Sequence, residues 1–248
     1  MLTLDSTVVV AGQGYVSGYG SGNTIINNGL IHANQSGGTL SINPETFTNT
    51  GTLRVSNNGS ILRLNFSVLE NHGIVEISDD GQLVTTSLGA IGLENSLGGI
   101  LQGTGTVTGN VTNTAGTISP GALPGTLVIN GNYVQGSAGN LHIELGGFEQ
   151  GTEFDFLDIS GTATLAGTLT ISLLDGFMPS TTDTFTFLKA DGGLFGTFDD
   201  VINLDGSLWS ITYFPNQIGI TLIAIPEPGP CLLMALGALY LVIRRRRD

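Results

Sequence analysis

Short runs of alternating apolar and polar residues recur along most of the chain, broken by glycine and asparagine. Asn27-Asn28-Gly29-Leu30-Ile31-His32 returns as Asn49-Thr50-Gly51-Thr52-Leu53-Arg54-Val55, and again as Asn71-His72-Gly73-Ile74-Val75-Glu76-Ile77. The three glycines are 22 residues apart in both steps. Looser copies follow at Gly98-Gly99-Ile100-Leu101 and Asn113-Thr114-Ala115-Gly116-Thr117-Ile118, and secondary runs such as Gly38–Ile42 and Ser60–Leu64 lie between the copies. Alternation with period two predicts short strands with one buried face. A unit this small cannot bury that face alone, but stacked copies can. A period in the low twenties is about one coil of a parallel β-helix. A leucine-rich repeat has a similar length, but its Leu-x-x-Leu-x-Leu signature is absent. The reading is therefore all-β: a right-handed parallel β-helix over residues 1–139. Asn and Gly are expected at its corners, where they tolerate left-handed backbone. Stacked asparagine side chains are expected to hydrogen-bond along a ladder.

From Gly103 the pattern loosens. Gly103–Val111, Pro124–Tyr133 and Phe154–Leu169 resemble the strand repeats of autotransporter passenger proteins, as do Trp209–Tyr213 and Ile218–Leu222. Aromatic residues become denser after about residue 148, so residues 140–224 are expected to form a terminal β cap or a small antiparallel β module closing the solenoid. Near the start, Gly12-Gln13-Gly14 and Gly18-Tyr19-Gly20 superficially suggest a phosphate loop. Neither a Gly-Lys-Ser/Thr sequence nor a helix pattern follows.

The final stretch is of another kind. Ile225-Pro226-Glu227-Pro228-Gly229-Pro230 is a proline turn that no helix can traverse. Next comes an uncharged run, Cys231, Leu232, Leu233, Met234, Ala235, Leu236, Gly237, Ala238, Leu239, Tyr240, Leu241, Val242 and Ile243, rich in helix formers and expected to form a single transmembrane helix. Arg244, Arg245, Arg246 and Arg247 then mark a cytoplasmic basic stop. The run spans about 20 Å as a helix, against a bilayer core of about 30 Å. So short a span suits a segment held briefly and then removed, as in other cleaved C-terminal anchors. A permanent tail anchor is the plainer alternative.

These three features, in this order, resemble the PEP-CTERM sorting signal of Gram-negative and related bacteria; the resemblance covers residues 225–248. It implies recognition through Pro226, Glu227 and Pro228 by exosortase, a membrane-embedded cysteine protease or transpeptidase. It also implies a transient membrane stage, followed by residence in the cell envelope or an exopolysaccharide matrix. The chain has Gly229-Pro230 where the family commonly has Ser or Thr.

Charge fits that destination. The chain carries a net −13, and four of its seven basic residues are the terminal arginines. Cleavage after Pro226 leaves three basic against eighteen acidic residues, a net −15. Such a surface disfavours nucleic acid and anionic headgroups. The one cysteine, Cys231, lies in the tail, so the preceding residues have neither a disulfide nor a thiolate metal site. Met1-Leu2-Thr3-Leu4-Asp5 lacks the basic and apolar regions of a secretory signal. The expectation is that coding sequence with a signal and further repeats lies upstream.

β-helices also carry polysaccharide lyases, so catalysis has to be weighed. Arg54 and Arg63 are the only strong cations among the repeats, with no carboxylate cluster beside them. Asp79-Asp80-Gly81 reads as a turn. Glu153, Asp155 and Asp158, and Asp199, Asp200 and Asp205, could supply oxygen ligands to calcium, but neither set has a calcium-loop spacing. His32, His72 and His142 are isolated. Asn58-Gly59-Ser60 and Asn110-Val111-Thr112 match glycosylation acceptors by composition. The expected protein is a non-catalytic structural or adhesive surface protein with neither cofactor nor metal. A polysaccharide-active enzyme on the same scaffold and a permanently anchored binding module are the alternatives.

Overall fold

The computed structural model describes residues 1–17, 22–65, 69–85, 92–121, 123–204, 206 and 208–224. The expected helix and arginine stop, residues 231–247, lie outside them. The described strands form three long sheets of nine, nine and ten strands. Among the first twenty-six strands each pairs with those three places before and after it, so the chain winds as a β-helix-like solenoid with three strands per coil. One coil is Thr24–Asn27, Leu30–Ala33 and Thr39–Asn43. The next is Thr46–Asn49, Thr52–Val55 and Ile61–Leu64, stacked on it parallel and in register.

Alternation decides which side chains point inward. On the second sheet Ile31, Leu53, Val75, Leu101, Ile118, Leu141 and Leu169 stack one above another, all fully buried. On the third sheet Leu40, Leu62, Leu83, Val107, Ile129 and Ile159 do the same. Burying each such side chain is worth about 1.5–3 kcal/mol. A slip of one residue in any coil would turn its whole set outward.

The first sheet carries one apolar column and one polar one. Phe47, Leu69, Leu93, Val111 and Tyr133 stack in the first. Asn27, Asn49, Asn71, Asn95 and Asn113 stack in the second, all with zero exposure. Each amide nitrogen donates to the amide oxygen of the next asparagine, at 2.8, 2.8, 2.7 and 3.1 Å. It also reaches a backbone carbonyl at the start of the next coil's second strand: Thr52, Ile74, Ile100 and Thr117 for the first four. The expected ladder thus exists, inside the solenoid, where it closes the corner between the first and second sheets. Gln135 takes over its place higher up, accepting from the Tyr133 hydroxyl at 2.6 Å and donating to the Ala166 and Thr168 carbonyls.

The reason for the corner glycines differs from the expected one. Gly29, Gly51 and Gly73 do not adopt positive φ. A Cβ on Gly51 would lie 2.2 Å from the Gly29 carbonyl oxygen, and one on Gly73 would lie 2.2 Å from that of Gly51. Close approach of successive coils, rather than left-handed backbone, excludes a side chain there. Left-handed backbone is used at other turns, such as Asn57 (φ 75°) and Asp79-Asp80 (φ 52° and 59°).

The parallel ladders also run past residue 139. Asn140–Leu145 pairs with Thr168–Leu173 over six parallel positions, and Asp200–Asn203 continues the second sheet on Thr168–Leu173. Leu141, Ile143 and Leu145 keep the same alternation as the earlier coils, so the hydrophobic pattern extends the solenoid. Among the described residues, antiparallel strand pairing is confined to the last hairpin, Leu208–Tyr213 with Gln217–Ala224, and to the contact of its second strand with Thr184–Ala190. The aromatic density after residue 148 has a local cause. Phe148, Phe154, Phe177, Phe185 and Trp209 cluster where two long loops leave the coils, with centroids 5.1–6.1 Å apart.

Replacing Asn49 by Ala orphans the amides on both sides of it and is expected to lower stability by about 1–3 kcal/mol. Gly51→Ala is expected to cost at least as much, because backbone must move. Thr52→Ala, on the outward side of the same coil, should stay within about 0.5 kcal/mol. Urea unfolding of the three variants reads the difference.

Candidate functional site

The outward positions of the second sheet carry a polar column. The alternation that sends Ile31, Leu53, Val75 and Leu101 inward sends His32, Arg54, Glu76 and Gln102 outward, stacked coil on coil. The Arg54 guanidinium meets the Glu76 carboxylate at 2.9 Å through both Nε and Nη2. His32 Nε2 lies 2.7 Å from the Ser56 hydroxyl. Partial burial lowers the His32 pKa first and the Arg54 charge second, while Glu76 partly opposes them. Farther up the same sheet His142 pairs with the Ser172 hydroxyl at 2.9 Å, and burial lowers its pKa too.

Beside this column, the second sheet turns into the third through loops of unequal length. Two shallow cavities of about 200 and 410 Å³ lie there, on either side of Leu123-Pro124. Glu76, Ser78, Gly103 and Thr104 line the smaller, and Gly146, Thr152, Glu153, Leu174 and Asp175 the larger. Leu123 stands between them, 74% exposed. The result is a stepped groove with an apolar ridge, flanked by carboxylates, hydroxyls and backbone groups. Such a lining can accept and donate hydrogen bonds to a neutral polyhydroxyl chain and cover an apolar ring face. Its carboxylates repel anions.

The loop behind the larger cavity is held by Asp155. This carboxylate is fully buried and accepts the backbone N–H of Gly125 at 3.0 Å on one oxygen and that of Glu144 at 2.9 Å on the other. Desolvation outweighs these hydrogen bonds and pushes its pKa up to about 8. Glu153 accepts the backbone N–H groups of Phe148 and Glu149, closing the same loop. Asp158 lies outward on the third sheet, in register with Lys189. The three acids that sequence placed together therefore do separate jobs.

The other candidates also separate. Arg54 belongs to the second sheet and Arg63 to the third, so the two cations stand on different faces. Asp199 accepts the Gly167 N–H at 2.6 Å, and Asp200 begins a strand of the last coil. Asp205 lies outside the described residues. Among those residues no three of His, Cys, Asp or Glu gather as a metal would need, and no helix is long and apolar enough to cross a membrane. Pro226, Glu227 and Pro228 also fall outside the described residues. Sequence reading missed the groove because its lining comes from loops of five coils. The one local sign was the Pro/Gly-rich interruption Pro120–Gly125 in an otherwise regular strand pattern. No protein-family model matches the chain, and no curated protein matches it in sequence.

Asp155 gives the body a pH dependence of definite sign. Its folded-state pKa is raised above an unfolded value of about 4, so folding favours the protonated form. The resulting stabilisation is complete below about pH 4 and is lost as pH rises through about 8. Melting temperature should therefore fall between pH 5 and pH 9. Asp155→Asn should flatten that fall, with its greatest loss relative to wild type at pH 5, because its amide NH₂ faces a backbone donor. Differential scanning calorimetry across this range checks both statements.

Proposed function

We propose that this chain is an exported, non-catalytic structural or adhesive protein of the bacterial envelope or exopolysaccharide matrix, sorted through a PEP-CTERM signal and processed by exosortase. The observation that carries the reading is the order of Pro226-Glu227-Pro228, an uncharged run of thirteen residues and four arginines. In this reading Cys231–Ile243 is a short transmembrane helix that holds the precursor until cleavage. Arg244–Arg247 stay on the cytoplasmic side. The described body is compatible with this order, because its last strand ends at Ala224, two residues before Pro226.

The body suits such a role on physical grounds. A solenoid held by ladders and an aliphatic core needs no disulfide or metal to persist outside the cell. Its winding is right-handed in this reading, the hand that parallel crossover connections adopt almost without exception. The groove beside Leu123 supplies a surface for a neutral polysaccharide of the matrix, with Glu76, Glu153 and Asp175 hydrogen-bonding to hydroxyls. A strongly acidic surface keeps the protein soluble and away from anionic lipid.

The test is intact-protein mass spectrometry of material from cells that contain an exosortase. The mature protein should lack Cys231–Asp248. Glu227→Ala leaves the apolar run unchanged and should make the uncut precursor accumulate in the membrane. Finding Asp248 on most mature molecules, with no effect of the Glu227 change, would show a permanent anchor instead.

A further inference from the structure

The outermost strand of the third sheet is Leu208–Tyr213. Among the described residues it pairs on one side only, antiparallel to Gln217–Ala224, and its other edge carries unpaired N–H and C=O groups. Natural proteins guard such an edge with lysine, proline, a bulge or a covering loop. A bulge falls between Leu208 and Trp209, at the start of the strand; from Trp209 to Tyr213 the register with its neighbour is continuous, and the segment has no charge and no proline. Ser210 and Thr212 face solvent, while Trp209, Ile211 and Tyr213 face the core side.

The order of these residues is chemically palindromic. Trp-Ser-Ile-Thr-Tyr reads aromatic, hydroxyl, aliphatic, hydroxyl, aromatic in either direction. In an antiparallel pair, residues directly opposite share a face. Pairing this strand with a second copy of itself about Ile211 sets Ser210 opposite Thr212 and Trp209 opposite Tyr213, with Ile211 opposite Ile211. Every pair is then of a kind that stabilises antiparallel sheets, namely hydroxyl with hydroxyl, aromatic with aromatic and aliphatic with aliphatic. The Trp209 indole Nε1 is buried without a hydrogen-bond partner. The Tyr213 hydroxyl, on the same face, accepts the Phe198 N–H at 3.1 Å within its own copy.

We propose that two copies of this chain associate end to end through Trp209–Tyr213, joining their third sheets into one continuous sheet across a two-fold axis at Ile211. The contact is isologous and closes at two copies, so it gives a dimer and no filament. Leu208, 58% exposed, and Ile223 on the adjoining strand supply exposed apolar surface beside the seam. The net charge of −13 on each copy acts against association at long range, so added salt should strengthen it.

The test uses the full chain, with Cys231 replaced by Ser, in mild detergent that accommodates the apolar tail. Sedimentation equilibrium should show a monomer–dimer equilibrium that tightens with salt. Ile211→Cys should form an intermolecular disulfide on mild oxidation, while Ser36→Cys, on a distant exposed turn, should not. Ser210→Asp with Thr212→Asp puts carboxylates opposite each other and should weaken association at least about tenfold, with an unchanged circular dichroism spectrum. A wild-type chain that stays monomeric overturns the proposal. So does a dimer that survives the double substitution or forms no Ile211→Cys disulfide, since its contact then lies in the tail or elsewhere.

Discussion

The constraint on which this molecule depends is that no coil can bury its own apolar face. Each coil is a thin layer with three strands of three to seven residues, and its inward side chains are fully covered only when coils stack above and below. Stability is therefore a sum over neighbours in register rather than the property of one compact core. That makes register the quantity the sequence must protect. The asparagine ladder protects it. Its amides bond to each other only when successive coils align, and each also fixes the carbonyl that opens the next coil's second strand. A buried amide without those partners would cost more than it contributes, so a shifted coil is penalised twice.

The same requirement explains the glycines at the first corner. Coils stacked as closely as a ladder demands bring Gly51 against the Gly29 carbonyl and Gly73 against that of Gly51. A methyl group there would force the strands apart and break the asparagine contacts beside it. The glycine and asparagine of each repeat are thus one device, although their individual reasons differ. Where the repeat length departs from 22 residues the corners change length, the first one included: four residues separate Asn95 from Ile100, against two between Asn71 and Ile74. The long loops that begin at Gly146 and Leu174 line the larger part of the groove. The rigid ladders fix the spacing of these loops, while the loops vary what they present.

The two sides of the sheet ribbon thus have separate roles. The inward side is committed to packing by alternation. The outward side is free to carry the Arg54–Glu76 pair, the histidines with their serine partners and the acidic groove. The antiparallel hairpin at the end changes the direction of pairing and covers the third-sheet side of the last coil. It leaves an edge whose chemistry differs from that of every parallel strand beneath it.

The sequence alone determined the solenoid. A period of 22 residues with period-two alternation is satisfied by stacked parallel coils, and Ile31, Leu53 and Val75 stand where that period puts them. The existence of the asparagine ladder was legible too, because identical polar residues at a fixed period end up stacked. Three things were decided only by tertiary structure. The ladder lies inside, because the residue opposite in phase to the outward Ile26, Thr48 and Glu70 must point inward whatever its polarity. The parallel stack runs on into residues whose aromatic density suggests a cap, because strand direction follows from which edge is open, and a local sequence window does not contain that edge. The groove is assembled from loops about a hundred residues apart, and only the stacking of the coils brings Glu76 and Asp175 to the same corner of the solenoid.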